Sequence, residues 1–161
     1  TCDIEQNLRE SLHMMMLLGE TNYLQLSQLR CGLESENARL AAERIQPRQA
    51  ARLKELARLM REEADPQKAS RYDQEFHSLL CEASGNRLIK SLFSAMLSTI
   101  NDFISTMYVR IVEAPAQAEA LHTAHQRLAD ALAAHNADAA DQAMRAHFEV
   151  VDSSIRREKL L

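Results

Sequence analysis

Residues that interrupt helices or favour strands are scarce in this sequence. The 161 residues include only 3 glycines, 3 prolines and no tryptophan, and aromatic residues make up 4% of the total. Alanine, leucine, arginine, glutamate and glutamine, which favour helices, are abundant instead. Because so few residues suit turns or strands, the composition predicts an all-α fold.

Other absences exclude whole classes of protein. The longest apolar run, residues 14–18, is far shorter than the ~20 residues that span a bilayer, so no membrane segment is expected. A net charge of -4 argues against a broad DNA-binding surface. Cys2, Cys31 and Cys81 are odd in number and lack metal-ligand spacing. We therefore expect free thiols and a cytoplasmic protein.

The few glycines and prolines divide the chain into six or seven helices, because glycine suits helix ends and proline suits first turns. The breaks predict one antiparallel helical bundle with helices over residues 3–18, 21–44, 47 onward, 66–84, 87 to before 115, 115–135 and 138–157. Residues 1–20 are interpreted as an N-terminal helix used for an interface or for packing on a further domain. Residues 21–161 form the bundle itself.

One pair of candidate metal ligands lies on the fourth predicted helix. Asp73 and His77 are four residues apart, so their side chains project from neighbouring positions on one helix face. Phe76 and Leu80 lie on that same side, which indicates that the face turns inward. The two side chains can therefore share one ion inside the bundle.

Two more histidines lie on the inward stripes of the last two predicted helices. His125 and His147 have position 136 as their midpoint, and residues 136–138 carry the turn signal between those helices. On one unbroken helix the pair would be about 33 Å apart, whereas an antiparallel hairpin puts them at the same height. The sequence thus predicts an interior site of Asp73, His77, His125 and His147.

Three imidazoles and one carboxylate suit a divalent transition metal, and Zn, Ni, Mn and Fe all remain candidates, with Zn and Ni preferred. An octahedral ion would leave two positions for water or an incoming carboxylate. Two alternatives stay open at this point. One is a metal-dependent hydrolase, although Glu75 points away from the face of His77 and no other carboxylate has helical spacing to the set. The other is a metal-free helical interaction module.

Several separated motifs resemble the FCD domain, the effector-binding domain of the FadR subfamily of GntR transcription regulators. The matching segments are R-x-x-L-E at 30–34, A-x-L-A-A at 38–42, D-x-x-F-H at 73–77, A-S-x-N at 83–86, H-x-x-[IL]-x-x-A-[IL] at 125–132 and M-x-x-H at 144–147. The likeness spans residues 23–150, and the glycolate- and lactate-responsive members are the most similar.

The resemblance implies a function. In that family the matching aspartate and histidines hold a metal, and an effector carboxylate, here expected to be a hydroxy acid, completes the metal shell. Arg30 is expected near the pocket, where it can pair with the anion or form an intrahelical ion pair with Glu34, and Asn86 is a second candidate ligand-binding residue. The family further implies a homodimer and no enzymatic activity. DNA binding is expected only through a winged-helix domain, which does not precede residue 3, so we expect the chain to be a fragment.

Overall fold

The structure, a computed structural model, describes residues 3–160 and contains seven α-helices within that range. In chain order these are α1 (Ile4–Leu17), α2 (Tyr23–Arg44), α3 (Pro47–Glu62), α4 (Pro66–Ser84), α5 (Arg87–Val112), α6 (Pro115–Ala133) and α7 (Ala137–Arg157). The all-α prediction is confirmed, and most helix limits lie within a residue or two of the predicted ones.

Helix starts are set by local capping. Asp3 and Asn86 cap α1 and α5, since their side-chain oxygens accept from the unpaired backbone N–H groups of the first turn. Pro47, Pro66 and Pro115 each occupy the first turn of a helix, where a missing N–H costs nothing. These starts were predictable because the signal and the structure lie within a few residues of each other.

Two predicted limits are corrected. The second helix begins at Tyr23 and not near residue 21, because Asn22 and Gln25 form a reciprocal cap there. The turn between α6 and α7 is also displaced. His135 has a left-handed φ of 53° and ends α6, and Asn136 caps α7 by accepting from the backbone N–H of residue 139. Asp138, the predicted first residue of the last helix, lies inside the first turn of α7.

The bundle places α2 at its centre. It packs against α7 and α4, while α6 packs against α7 and α3, and α1 packs mainly on α5. The main core contains large, fully buried side chains from α3, α4, α6 and α7, including Leu53, Phe76, Leu128 and Met144. Burial of each such side chain contributes about 1.5–3 kcal/mol, so these contacts hold the four helices in a fixed arrangement.

A second, smaller core lies where α1 and α5 meet α2 and α4. It includes Leu26, Phe93 and Met96, with Leu12 and Met16 of α1 packed against it. The opposite face of α1 exposes apolar side chains, namely Ile4, Met14, Met15 and Leu17, with Leu18 at its end. Five of the seven large hydrophobic side chains that are exposed within residues 3–160 therefore lie on α1 or at its end.

The structure also bears on the expected lack of a membrane segment and on the cysteines. None of the described helices has the length and apolarity to cross a membrane. Cys31 and Cys81 are free thiols, and burial raises the pKa of both, so they pack as small apolar groups. Cys2 lies outside the described residues.

Candidate metal centre

The four predicted ligands converge in the interior of the bundle. Asp73 and His77 come from α4, His125 from α6 and His147 from α7, and all four side chains are buried. One ligand atom from each residue lies within 4.8 Å of all the others. Packing of α6 against α7 brings the two histidines together across their turn, as the spacing predicted.

The distances suit a single ion. Asp73 Oδ1 lies 2.8 Å from His125 Nε2, 3.5 Å from His77 Nε2 and 4.0 Å from His147 Nε2. Ligand atoms that share one ion at about 2.0–2.2 Å are separated by roughly 3–4 Å, depending on the coordination angle. The three distances from Asp73 Oδ1 are therefore close to those between ligand atoms of one ion.

Unpaired polar atoms at the centre favour a ligand there. Asp73 Oδ1, His77 Nε2 and His125 Nε2 are buried, and none makes a hydrogen bond within residues 3–160. The contact between His125 and Asp73 is close but is not oriented as a hydrogen bond. Because a buried polar atom without a partner costs about 1–3 kcal/mol, three of them facing one point fit a divalent cation well.

The far side of two rings is anchored by the protein. His77 Nδ1 hydrogen-bonds the buried Glu34 carboxylate, and His125 Nδ1 donates to the backbone carbonyl of Leu121 at 2.9 Å. A proton held on Nδ1 leaves Nε2 as the nitrogen that can coordinate a metal, once any proton on Nε2 has been displaced. Both rings are thus oriented with their ligand nitrogen toward Asp73.

The charges around the centre favour cation binding. Burial alone raises the pKa of Asp73, but the His77 and His125 imidazoles outweigh burial and hold that pKa well below its usual range. Burial, together with the nearby His125 and His77, lowers the pKa of His147 well below its ordinary value. An ionised carboxylate and a neutral imidazole are the forms that coordinate a metal.

Glu34 is the main residue of this site whose role the sequence did not predict. The spacing predicts Glu34 only as the ion-pair partner of Arg30, and that pair does form, at 2.9 Å. Glu34 is fully buried, however, and its second carboxylate oxygen hydrogen-bonds His77 of another helix. No local pattern connects two residues 43 positions apart, so only the packing of α2 on α4 reveals this contact.

Arg30 lies next to the cluster, as the resemblance implied. Its side chain is 5% exposed, and its guanidinium carbon lies 5.3 Å from the centre of the Phe148 ring. Arg30, Asp73 and His147 all line one small cavity of about 30 Å³. The ion pair with Glu34 is confirmed, whereas pairing of Arg30 with an anionic ligand stays a prediction for a residue that borders the space beside the predicted ligands.

Asn86, the remaining predicted ligand-binding residue, caps a helix in the structure. Its side-chain oxygen accepts from the backbone N–H groups of Leu88 and Ile89 and caps α5. It is not among the residues that line the cavity beside the cluster. A ligand-binding role for Asn86 stays a prediction.

Tyr108 lines the cavity beside the cluster, although the sequence does not predict it as a site residue. Its spacing on α5 is that of an ordinary core residue.

Fold and site together define a helical ligand-binding domain with a buried cluster of side chains of the kinds that bind metal ions. The sequence matches the FCD domain family over residues 25–150. The chain therefore belongs to the FCD domain family. Glu75, the nearest carboxylate in sequence to His77, is paired with Arg52 at the surface.

Two curated relatives give the family context. The chain is 27% identical over 153 residues to the putative L-lactate dehydrogenase operon regulatory protein of Escherichia coli K12, a match that covers 95% of this chain and 59% of the relative. It is 29% identical over 147 residues to the HTH-type transcriptional regulator LutR of Bacillus subtilis, covering 90% and 67% respectively. The chain thus spans about three fifths to two thirds of the length of these relatives.

Proposed function

We propose that this domain senses a small organic carboxylate, which binds at a divalent metal ion held by Asp73, His77, His125 and His147. One observation supports this proposal above all: four buried ligand atoms lie within 4.8 Å of one another, beside a cavity that also reaches a buried arginine. A cationic centre and a guanidinium facing the same small space are what a carboxylate requires.

The ligand set favours a borderline transition metal. Three imidazole nitrogens and one carboxylate oxygen suit Zn or Ni best and are also compatible with Mn or Fe. When bound, the ion supplies positive charge and open coordination positions to an anionic ligand. Asp73 contributes the only negative charge among the four ligands, so a dipositive ion leaves the site with a net positive charge that attracts an acid.

The size of the cavity supports a compact ligand. At about 30 Å³ it has room for about two water-sized groups, so even a short acid would have to widen the cavity and a large ligand is disfavoured. One relative is named as a regulator of an L-lactate dehydrogenase operon. We therefore propose a short hydroxy acid such as lactate or glycolate as the effector.

In the intact regulator, the bound acid would bias how two copies of the protein present their DNA-binding domains. Two-fold operators are read by dimers, so we propose a homodimer, with DNA contacted only through a winged-helix domain outside residues 1–161. The exposed apolar face of α1, within residues 1–20, is proposed to pack on the second copy or on that domain. A ligand can shift such an equilibrium only by its differential affinity, typically ~1–3 kcal/mol.

The test begins with metal analysis of untagged protein and thermal unfolding with added acids. Tightly bound Zn or Ni, and a rise in melting temperature with L-lactate or glycolate that disappears after chelation, are the expected results. His125→Gln should abolish both effects. His13→Gln, which changes an exposed histidine on α1, is the matched control and should leave both unchanged.

Two outcomes would contradict the proposal. If protein prepared without a tag holds no transition metal and gains no stability from added Zn or Ni, the cluster is a packed polar core, and a metal-free interaction module becomes the better description. If the metal binds but no short acid changes the melting temperature in a chelator-sensitive way, the sensing function is wrong while the metal site stands.

A further inference from the structure

Tyr108 of α5 presents a polar group that nothing in the fold accounts for. Its side chain is 3% exposed, and its hydroxyl has no hydrogen-bond partner in the described range 3–160. A buried hydroxyl without a partner is normally destabilising, so it requires an explanation. The hydroxyl also stays protonated, because burial and the negative charge of Asp73 raise the pKa of Tyr108. The Tyr108 hydroxyl is therefore a hydrogen-bond donor without an acceptor among residues 3–160.

The location of Tyr108 indicates where that acceptor would lie. It lines the same small cavity as Arg30, Asp73 and His147. The rest of the α5 and α6 surface in the cavity is apolar and offers no hydrogen bond, consisting of Ile100, Phe103, Ile104, Met107, Ile111 and Leu121. None of the described residues that line the cavity accepts a hydrogen bond from the Tyr108 hydroxyl, so a molecule inside the cavity is in a position to supply the acceptor.

Asp73 and His147, which also line the cavity, belong to the proposed metal site, whereas two other polar side chains of the cavity already have protein partners. The Ser27 hydroxyl donates to Asp152 at 2.5 Å, and the Arg30 guanidinium pairs with Glu34. Arg30 still has N–H groups beyond the two that bond Glu34, since a guanidinium carries five donors. Tyr108 differs from both residues because its hydroxyl has no such partner within residues 3–160.

We propose that Tyr108 is a specificity-determining residue, whose hydroxyl donates a hydrogen bond to an oxygen of the bound acid outside its carboxylate group. This inference rests on the proposed function. The two carboxylate oxygens are accounted for by the cationic centre and Arg30, so a third polar group on another helix matches a third ligand oxygen. The ligand class is thus a short acid with a hydroxyl or keto oxygen close to the carboxylate.

The test compares two acids that differ by one oxygen. Binding of L-lactate and propionate is measured calorimetrically on the Zn-loaded chain, for the unmodified protein and for Tyr108→Phe. We expect L-lactate to bind more tightly than propionate, and Tyr108→Phe to reduce that preference by about 3- to 10-fold, the usual net worth of one neutral hydrogen bond. Zn affinity and propionate binding should be unchanged in the variant, because neither uses the hydroxyl.

Tyr72→Phe provides the matched control. Tyr72 lies on α4, is half-buried against the main core and is not among the residues that line the cavity. It should keep the preference of the unmodified protein for L-lactate.

Each contrary outcome has a distinct meaning. An unchanged preference in Tyr108→Phe, or an equal loss for both acids, would overturn the specificity role and leave acid sensing intact. Failure of both acids to bind the Zn-loaded protein would overturn the proposed function and this inference together. Acid binding that persists after chelation would overturn the metal-dependent function. The role of Tyr108 would then stand or fall with the effect of Tyr108→Phe on the preference for L-lactate over propionate.

Discussion

Replacement of Glu34 by glutamine tests how strongly the metal cluster depends on its surroundings. The two carboxylate oxygens of Glu34 serve different helices, since Oε2 pairs with Arg30 on α2 and Oε1 accepts from His77 on α4. Burial raises the pKa of Glu34, but the charge of Arg30 and the contact with His77 outweigh burial and lower it. Glu34 is therefore ionised, and Glu34→Gln removes a buried negative charge with almost no change in shape.

Two losses are expected. Removal of one partner from a buried ion pair costs about 3–5 kcal/mol, because the other charge is left without compensation. In a domain of this size that corresponds to a fall in melting temperature of about 6–20 °C for the metal-free protein. The loss of the residue that orients His77 should also weaken metal binding by about 10- to 100-fold.

The assays are unfolding of the metal-free protein and competition for Zn with a chelating dye. Asp138→Asn is a matched control, because it neutralises a carboxylate that pairs with Arg39 at 2.8 Å but is 82% exposed. Exposed pairs contribute little, so neither stability nor Zn affinity should change measurably. A Zn affinity of Glu34→Gln within about twofold of the unmodified protein would refute the positioning role, even if stability falls.

Three further predictions concern His77 and Asn86. Burial lowers the pKa of His77, but the Glu34 and Asp73 carboxylates raise it to about 9, so the ring carries a proton near neutral pH that a metal must displace. Zn binding at pH 7.5 should therefore release a proton that is no longer released above pH 10, as measured by calorimetry in buffers of different ionisation enthalpy. Since a raised histidine pKa stabilises the fold at low pH and that contribution disappears as pH rises through about 9, metal-free protein should melt earlier at pH 10 than at pH 7, and a flat profile would contradict the assignment. Asn86→Ala should cost about 1 kcal/mol in urea unfolding through loss of the α5 cap while acid binding is retained, and weaker acid binding would instead favour the ligand-binding role predicted for Asn86.

The sequence predicted those parts of the fold that depend on neighbouring residues. Proline at 47, 66 and 115 marked three helix starts because the preference of proline for a first turn is a local property. The pairing of His125 with His147 was predictable for a similar reason, since a short turn forces two helices to lie antiparallel and equidistant positions to meet. The error at the α6–α7 turn was small because the two histidines lie about ten residues from it, so a shift of one residue barely changes their relative height.

Contacts between distant helices required the structure. The Glu34 to His77 bond joins positions 43 apart, and nothing in the pattern of α2 distinguishes Glu34 from a residue that forms an ion pair at the surface. The Tyr108 hydroxyl was hidden differently. Hydrophobic spacing places a tyrosine in the core but contains no information on whether its hydroxyl finds a partner there.

These long-range contacts connect the proposed ligand to the helices that would have to move. Arg30 and Glu34 are one turn apart on α2, and Glu34 contacts His77. A carboxylate bound at Arg30 and a metal bound at His77 would therefore both act on this turn of α2. The Ser27 bond to Asp152 ties the adjoining turn of α2 to α7, which carries His147. An acid that contacts both Arg30 and the cluster would therefore draw α2, α4 and α7 together, whereas an acid bound at one of them alone would not. Within the proposed function, this predicts that Arg30→Gln leaves Zn bound but uncouples the acid from any change in helix packing.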